Sequence, residues 1–293
     1  MVQSIAVIGA GGIGCLLAAR AEERGHDVTV CVRTPVPALR LDEHGTSREI
    51  PVRIAADPAA VGAVDWVILA VKAQDTAGAA PWLERLAGSG TTVVVAQNGL
   101  GHEDRVRPYV GRATVLPALV YTAVERLGPG HVIYHSGNGV VVPQGDHGRA
   151  FEALYSGSGL AVAQTGDFDT ALWRKLLSNT AANPITALTM RRMDVMHEPD
   201  VLALARELLL ETVATARAAG VDLSERDADE VLALHQTYDI HGGTSMLYDR
   251  LAGRALEHEY LTGAIVQMAE RYGVPVPRNR MILTLLRALR PMR

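Results

Sequence analysis

The first stretch of about 30 residues constrains the fold more than any other part of the chain. Ser4 to Ile8 is a short run rich in β-branched residues that ends in Gly9-Ala10-Gly11-Gly12-Ile13-Gly14. An amphipathic helix pattern follows in CLLAARAEERG, and Asp27 to Val32 then has the pattern of a second strand. A glycine-rich turn by itself says little, because such turns are common. Strand, GxGxxG, helix and strand in close succession give each glycine a task. Gly9 permits the tight turn, Gly11 lets the backbone approach a pyrophosphate, and Gly14 lets the helix pack on the strand. The helix N-terminus, with its unpaired N–H groups, faces the phosphates. Gly9, Ala10, Gly11, Gly12, Ile13 and Gly14 are therefore the expected cradle of a bound dinucleotide.

The second strand ends Val30-Cys31-Val32-Arg33-Thr34, without the acidic residue that commonly holds a ribose 2′-hydroxyl. Arg33 can instead grip a 2′-phosphate through charge-assisted hydrogen bonds of about 1.5–3 kcal/mol each, which points to NADP. Val64 to Val71 reads as a doubly buried parallel strand that delivers Lys72 at its C-terminal end. Thr92 to Ala96 is another, ending in Gln97-Asn98-Gly99. Open α/β sheets bind ligands at the carboxyl ends of their strands, so Lys72 and Asn98 fall over the cofactor. Ordinary turn chemistry also accounts for Asn98-Gly99. Further strands are expected at Ala113 to Tyr121, His131 to Tyr134 and Val140 to Val142, as an antiparallel extension of the same sheet. Gly128-Pro129-Gly130 and the Gly137/Gly139 pair mark the turns between them, and His135 is structural.

From about Asp169 the periodicity becomes helical and stays so. Helices are expected from Val201 to Ala219, from Glu225 to His235 with Ser224 as N-cap, and from Glu257 to Tyr272 with Gly273 as its stop. A last helix runs from Arg278 to Leu289. The expected fold class is α/β, with an N-terminal Rossmann dinucleotide-binding domain over 1–166 and an all-α C-terminal domain over 167–293. The cleft between two such domains is the usual place for a second substrate.

Trp173 to Leu188 carries Lys175, Asn179 and Asn183 at i, i+4 and i+8, on one face of a helix otherwise suited to burial. Such a row either faces solvent or lines a polar pocket, since its members are costly to bury without partners. Pro184 removes a backbone donor beside Asn183 and is expected to kink the helix there.

Charge and composition exclude several classes. The net charge of −4 provides no basic field for nucleic acid or an anionic membrane, and no apolar run approaches a membrane span. Arg278, Arg280, Arg287, Arg290 and Arg293 read as a solvated helix face and tail. Two cysteines, Cys15 and Cys31, make neither a disulfide framework nor a metal cluster and suit a reducing compartment. No signal peptide pattern opens the chain, so a cytoplasmic protein is expected, and no metal site is expected either.

The blocks VIGAGGIG, AVKAQDT, QNGLG, LGPGHVIYHSGNG, ALWRKLLSNTAANPITAL, TSMLYD and GRALEHEY occur in the order found in ketopantoate reductases, which the chain resembles over nearly its whole length. That family consists of NADPH-dependent 2-dehydropantoate 2-reductases of pantothenate biosynthesis, within the 6-phosphogluconate dehydrogenase-like superfamily. The resemblance implies that Lys175 is the general acid that protonates the substrate keto oxygen. It implies substrate contacts for Asn98, Lys175, Asn179, Asn183 and Ser245, and places Asn98 and Glu257 at the cofactor–substrate junction, with Glu257 among the catalytic residues. It gives Arg33 and Lys72 to the adenosine end or the phosphates of NADP, and Ala123 to a cofactor contact. A model lysine is charged at pH 7, and a neighbouring carboxylate such as Glu257 favours that state.

Leu256, His258, Thr262 and Met193 depart from the family's usual residues. They leave the chemistry intact and bear on which 2-oxo acid is taken. A paralogous reductase of another 2-oxo acid and a non-catalytic NADP-binding sensor are the alternatives, though a sensor needs none of Lys175, Asn98 and Glu257. The expected partner is a small-molecule 2-oxo acid, and the apolar helices of the second half can support a homodimer.

Overall fold

The computed structural model describes residues 1–289. Arg290 and Arg293, assigned above to a helix face and tail, lie outside the described residues. By its contacts the chain forms two compact units, one of Met1–Gln97 with Gly101–Gly166 and one of Asn98–Leu100 with the chain from Asp167 onward. Asn98, Gly99 and Leu100 thus differ from the division at Gly166. They go with the helical unit, where Leu100 packs against the apolar core.

The first unit comprises β1 (Ser4–Ile8), α1 (Gly12–Glu22), β2 (Asp27–Cys31), β3 (Leu39–Glu43), β4 (Thr46–Ile50), β5 (Arg53–Ala55), β6 (Trp66–Leu69), α2 (Ala80–Leu86) and β7 (Thr92–Val95). It continues with α3 (His102–Val106), β8 (Thr114–Pro117), β9 (Leu119–Gly128), β10 (His131–Pro143), α4 (Asp146–Tyr155) and β11 (Ala161–Thr165). Its main sheet has the order β5-β2-β1-β6-β7-β8 with every neighbouring pair parallel. Both faces of this sheet are covered, which is why its central strands are continuous apolar runs. Along β1, Ile5 and Val7 join one core with α1, while Ala6 and Ile8 join the other with Trp82, Leu83 and Leu86 of α2. That alternation is the two-residue period of a strand.

Contrary to the expectation from the sequence, the region after β8 does not extend this sheet. Only β8 joins it, and β9, β10 and β11 belong to a second sheet of order β11-β10-β3-β4, with β9 pairing β10. The hairpin of β3 and β4 escapes the sequence pattern because it buries only one face, through Leu39, Leu41 and Ile50. Helix α1 has this second sheet against one side and the first against the other, so it is buried nearly all round. Gly137 and Gly139 do not mark a turn. They lie inside β10, where the register with β9 shifts between Ser136 and Gly139. Cys15 and Cys31 are free and buried in the two cores, and burial pushes both thiols up to about 12.

The second unit is built on α5 (Phe168–Thr189), with α6 (Pro199–Ala218), α7 (Glu225–Thr237), α8 (Ser245–Leu251), α9 (Thr262–Tyr272) and α10 (Pro277–Ala288). The Asp167 side chain caps α5 by accepting from the Thr170 N–H at 3.1 Å. Trp173, Leu176, Leu177, Ala181 and Ile185 of α5 form the centre of the apolar core. Pro184 sits inside α5 without ending it; the helix stops at Met190, a left-handed residue with φ 56°. Ser224 caps α7 in a reciprocal box with Asp227. Glu257 does not begin a helix. Tyr260 and Leu261 turn their N–H groups onto the Glu257 carbonyl, Leu261 leaves helical geometry, and α9 starts only at Thr262. No helix among the described residues is long and apolar enough to cross a membrane.

Candidate functional site

In the first unit the glycine turn is shaped by what surrounds it. Gly9 has φ 110°, and a Cβ there would stand 2.9 Å from Val71 Cγ1. A Cβ on Gly14 would come within 1.9 Å of the Gly9 carbonyl oxygen, so α1 can approach β1 this closely only through glycine. Gly11, the N-cap of α1, has nothing within 4 Å of such a Cβ. The first-turn N–H groups of a helix have no partner within it. Open space over a helix N-terminus, walled by close backbone contacts, fits the pyrophosphate of a dinucleotide.

Around this cradle the side chains singled out from the sequence take up distinct positions. Arg33 is exposed just beyond β2, and Lys72 is half-buried just beyond β6. Ala123 is exposed on β9, next to Val124, whose carbonyl oxygen would lie 2.7 Å from a Cβ on Gly12. This brings the strand of Ala123 against the glycine turn. Gln97, which the sequence reading passed over, is the local tie. Its amide donates to the Val71 carbonyl at 2.9 Å and to Thr76 Oγ1 at 3.0 Å, and its Oε1 accepts from Arg105 at 2.9 Å. A glutamine at a strand end carries no pattern by which sequence alone could have found it.

In the second unit the polar row of α5 is partly enclosed, which excludes a fully solvated face. Lys175 and Asn179 are half-buried, and Asn183 is only 5 % exposed. The Asn183 amide nitrogen is buried without an acceptor. An unpaired buried donor is costly, about 1–3 kcal/mol, and is the kind of group a ligand satisfies. Burial pushes Lys175 from 10.5 down to about 8, and Glu257 opposes this by favouring the ammonium. Desolvation outweighs the carboxylate, yet the lysine stays mostly protonated at pH 7, and Glu257 favours that state as the sequence suggested.

Glu257 is 8 % exposed, and its Oε2 accepts from Asn98 Nδ2 at 3.3 Å. Ser245 is exposed at the first residue of α8. The preceding Thr244 meets Thr186 Oγ1 at 2.7 Å, and that hydroxyl also donates to the Asn183 carbonyl at 3.2 Å. The start of α8 is thereby tied to α5 one turn beyond Asn183. The second unit thus brings Lys175, Glu257 and Asn98 into one electrostatic group, with Asn183 and Ser245 linked through the two threonines. Gly9–Gly14, Arg33, Lys72 and Ala123 belong to the first unit. A lysine poised near neutrality, a buried carboxylate and spare amide donors can protonate a carbonyl oxygen and orient polar substituents around it.

Comparison with known proteins agrees along the chain. The sequence model of the family described as Ketopantoate reductase PanE/ApbA matches residues 5–146, and that described as Ketopantoate reductase PanE/ApbA C terminal matches residues 167–290. The 2-dehydropantoate 2-reductase of Caulobacter vibrioides is 36 % identical over 291 residues, covering 98 % of this chain and 99 % of that protein. The enzyme of the same name from Mycobacterium tuberculosis is 37 % identical over 290 residues, covering 98 % of each. Among solved structures, a dimeric ketopantoate reductase from Staphylococcus aureus superposes with a TM-score of 0.88 at 29 % identity, covering 97 % of this chain and 98 % of that one. With both halves matched and relatives aligned from end to end, this chain belongs to the ketopantoate reductase family.

Proposed function

We propose that the protein reduces 2-dehydropantoate to (R)-pantoate with NADPH, with Lys175 as the general acid, as a step of pantothenate biosynthesis in the cytoplasm. The observation that carries this is the Lys175–Glu257–Asn98 group. The residues that would hold NADPH are Gly9 to Gly14 at the pyrophosphate, Lys72 and Ala123 beside it, and Arg33 at the 2′-phosphate. When bound, NADPH supplies the hydride. Asn98 and Glu257 are also assigned to the nicotinamide side of the site. The choice of NADPH over NADH rests on Arg33, an exposed cation at the strand end where an acid would favour NADH.

Reduction of a ketone leaves negative charge on oxygen. The Lys175 ammonium stabilises that charge and then neutralises it by giving up a proton. A pKa of about 8 suits this, since the lysine is protonated at pH 7 by roughly ten to one and still a better acid than a free lysine. Glu257 keeps the ammonium from losing its proton too early, and the Asn98 amide holds the carboxylate. Asn179, Asn183 and Ser245 bind the carboxylate and hydroxyl groups of the acid without competing charge. Homodimer formation through the helical unit completes the reading.

A second reading keeps the chemistry and changes the acid. Met193 is buried in the apolar core, and Thr262 Oγ1 and His258 Nδ1 are buried without partners, all at positions that depart from the family pattern. NADPH consumption measured with ketopantoate, a panel of other 2-oxo acids, and NADH in parallel separates the two. Ketopantoate with NADPH is expected to give the highest kcat/KM. Lys175→Ala is expected to abolish turnover while sparing NADPH binding, and unchanged turnover in that variant refutes the mechanism.

A further inference from the structure

Gly99 lies in the three-residue segment that leaves the first unit to pack with the helical one. Its φ is 87°, and a Cβ built on it would stand 2.2 Å from the Tyr260 carbonyl oxygen and 3.1 Å from the carbonyl carbon. Backbone, unlike the end of a side chain, cannot swing aside. Tyr260 is further held by its own N–H, which donates to the Glu257 carbonyl at 3.0 Å. The neighbouring Leu261 N–H reaches the same carbonyl at 3.1 Å, and the Gly263 N–H reaches the His258 carbonyl at 2.8 Å. The segment bearing Asn98 and the turn bearing Glu257 therefore touch backbone to backbone at Gly99 and Tyr260. One residue away, Asn98 Nδ2 reaches Glu257 Oε2 at 3.3 Å.

We propose that Gly99 is a positioning residue, whose missing side chain lets the Asn98 segment seat on the Tyr260 carbonyl and so holds the Asn98 amide against the Glu257 carboxylate. This rests on the roles given above to Asn98 and Glu257. An ordinary carbon–oxygen contact begins near 3.4 Å, so a methyl group at position 99 must move the segment by about 1 Å. A 3.3 Å hydrogen bond stretched by that amount is lost. Gly101 provides the control. Its φ is 71°, but nothing lies within 4 Å of its built Cβ, so alanine there brings left-handed strain without collision.

The test uses the full chain as wild type, N98A, G99A, G99A/N98A and G101A, with steady-state kinetics, NADPH affinity by fluorescence and thermal melts. G99A is expected to lose kcat to within about threefold of N98A while its NADPH affinity stays within about twofold of wild type. The double variant is expected to be no slower than N98A alone, because both substitutions break one contact, and G101A is expected to turn over normally. A merely structural role would instead make the two losses multiply. Multiplied losses, or a G99A enzyme as fast as wild type, overturn the proposal while leaving the site assignment in place. An N98A enzyme as fast as wild type overturns the assignment of Asn98 and the proposal with it. If G99A does not fold, L100A loosens the same seat from the core side and takes its place in the cycle, with a partial loss of kcat expected that disappears in the N98A background. Losses that multiply there overturn the proposal too.

Discussion

Replacing Glu257 with glutamine isolates one charge. Lys175 is displaced from 10.5 to about 8, which at about 1.4 kcal/mol per pH unit disfavours the ammonium by about 3 kcal/mol. This is a net figure. Burial alone lowers the lysine further, and Glu257 restores part of the loss. Glutamine keeps the size of the side chain and an oxygen for the Asn98 amide but removes the charge, so burial acts unopposed and Lys175 falls below 8. Each unit lost cuts the ratio of charged to neutral lysine tenfold, starting from roughly ten to one at pH 7. If Lys175 is the general acid proposed above, the pH profile of kcat/KM in the reductive direction reports its protonated form in the free enzyme. Its basic limb is expected near pH 8 in the wild type and at lower pH in E257Q, with NADPH affinity measured separately at each pH. A variant limb at or above that of the wild type, or a wild-type profile flat to about pH 9, refutes the reasoning.

Arg33→Ala is expected to raise the KM for NADPH by about 10- to 100-fold, as loss of about 1.5–3 kcal/mol implies, and to leave that for NADH within about twofold. Asn183→Ala is expected to raise the KM for the 2-oxo acid without lowering the melting temperature, since its buried Nδ2 makes no hydrogen bond in the protein; a destabilised variant with unchanged KM contradicts this. Met190→Gly relieves a left-handed residue at the end of α5 and is expected to stabilise the fold by about 1 kcal/mol with unchanged kinetics, read from thermal melts and initial rates.

The first sheet was legible because burial on both faces imposes apolar runs such as Trp66 to Leu69, and these need no context to be recognised. The second sheet was not. Its strands LRLDE and TSREI bury one face and solvate the other, and Gly137 and Gly139 resemble turn residues until the partner strand is in view. Helices with strong caps, such as α7 behind Ser224, were readable, whereas the start of α9 depended on the backbone of Leu261. In the candidate site, helical spacing alone put Lys175, Asn179 and Asn183 on one face. The pairing of Asn98 with Glu257 spans 159 residues of sequence, and local pattern carries no trace of so distant a contact. The acidity of Lys175 is likewise a property of what packs around it, and the ordinary value of a free lysine misses it.

The two cysteines turn the first unit into its own reporter. At pH 7 a thiol pushed up to about 12 is thiolate in only about one molecule in 10⁵, so neither sulfur reacts while it stays buried. Both belong to the first unit, on opposite faces of its main sheet, and the sequence holds no others. The rate at which a thiol reagent labels the native protein therefore times the opening of the first unit, since the helical unit carries no sulfhydryl of its own.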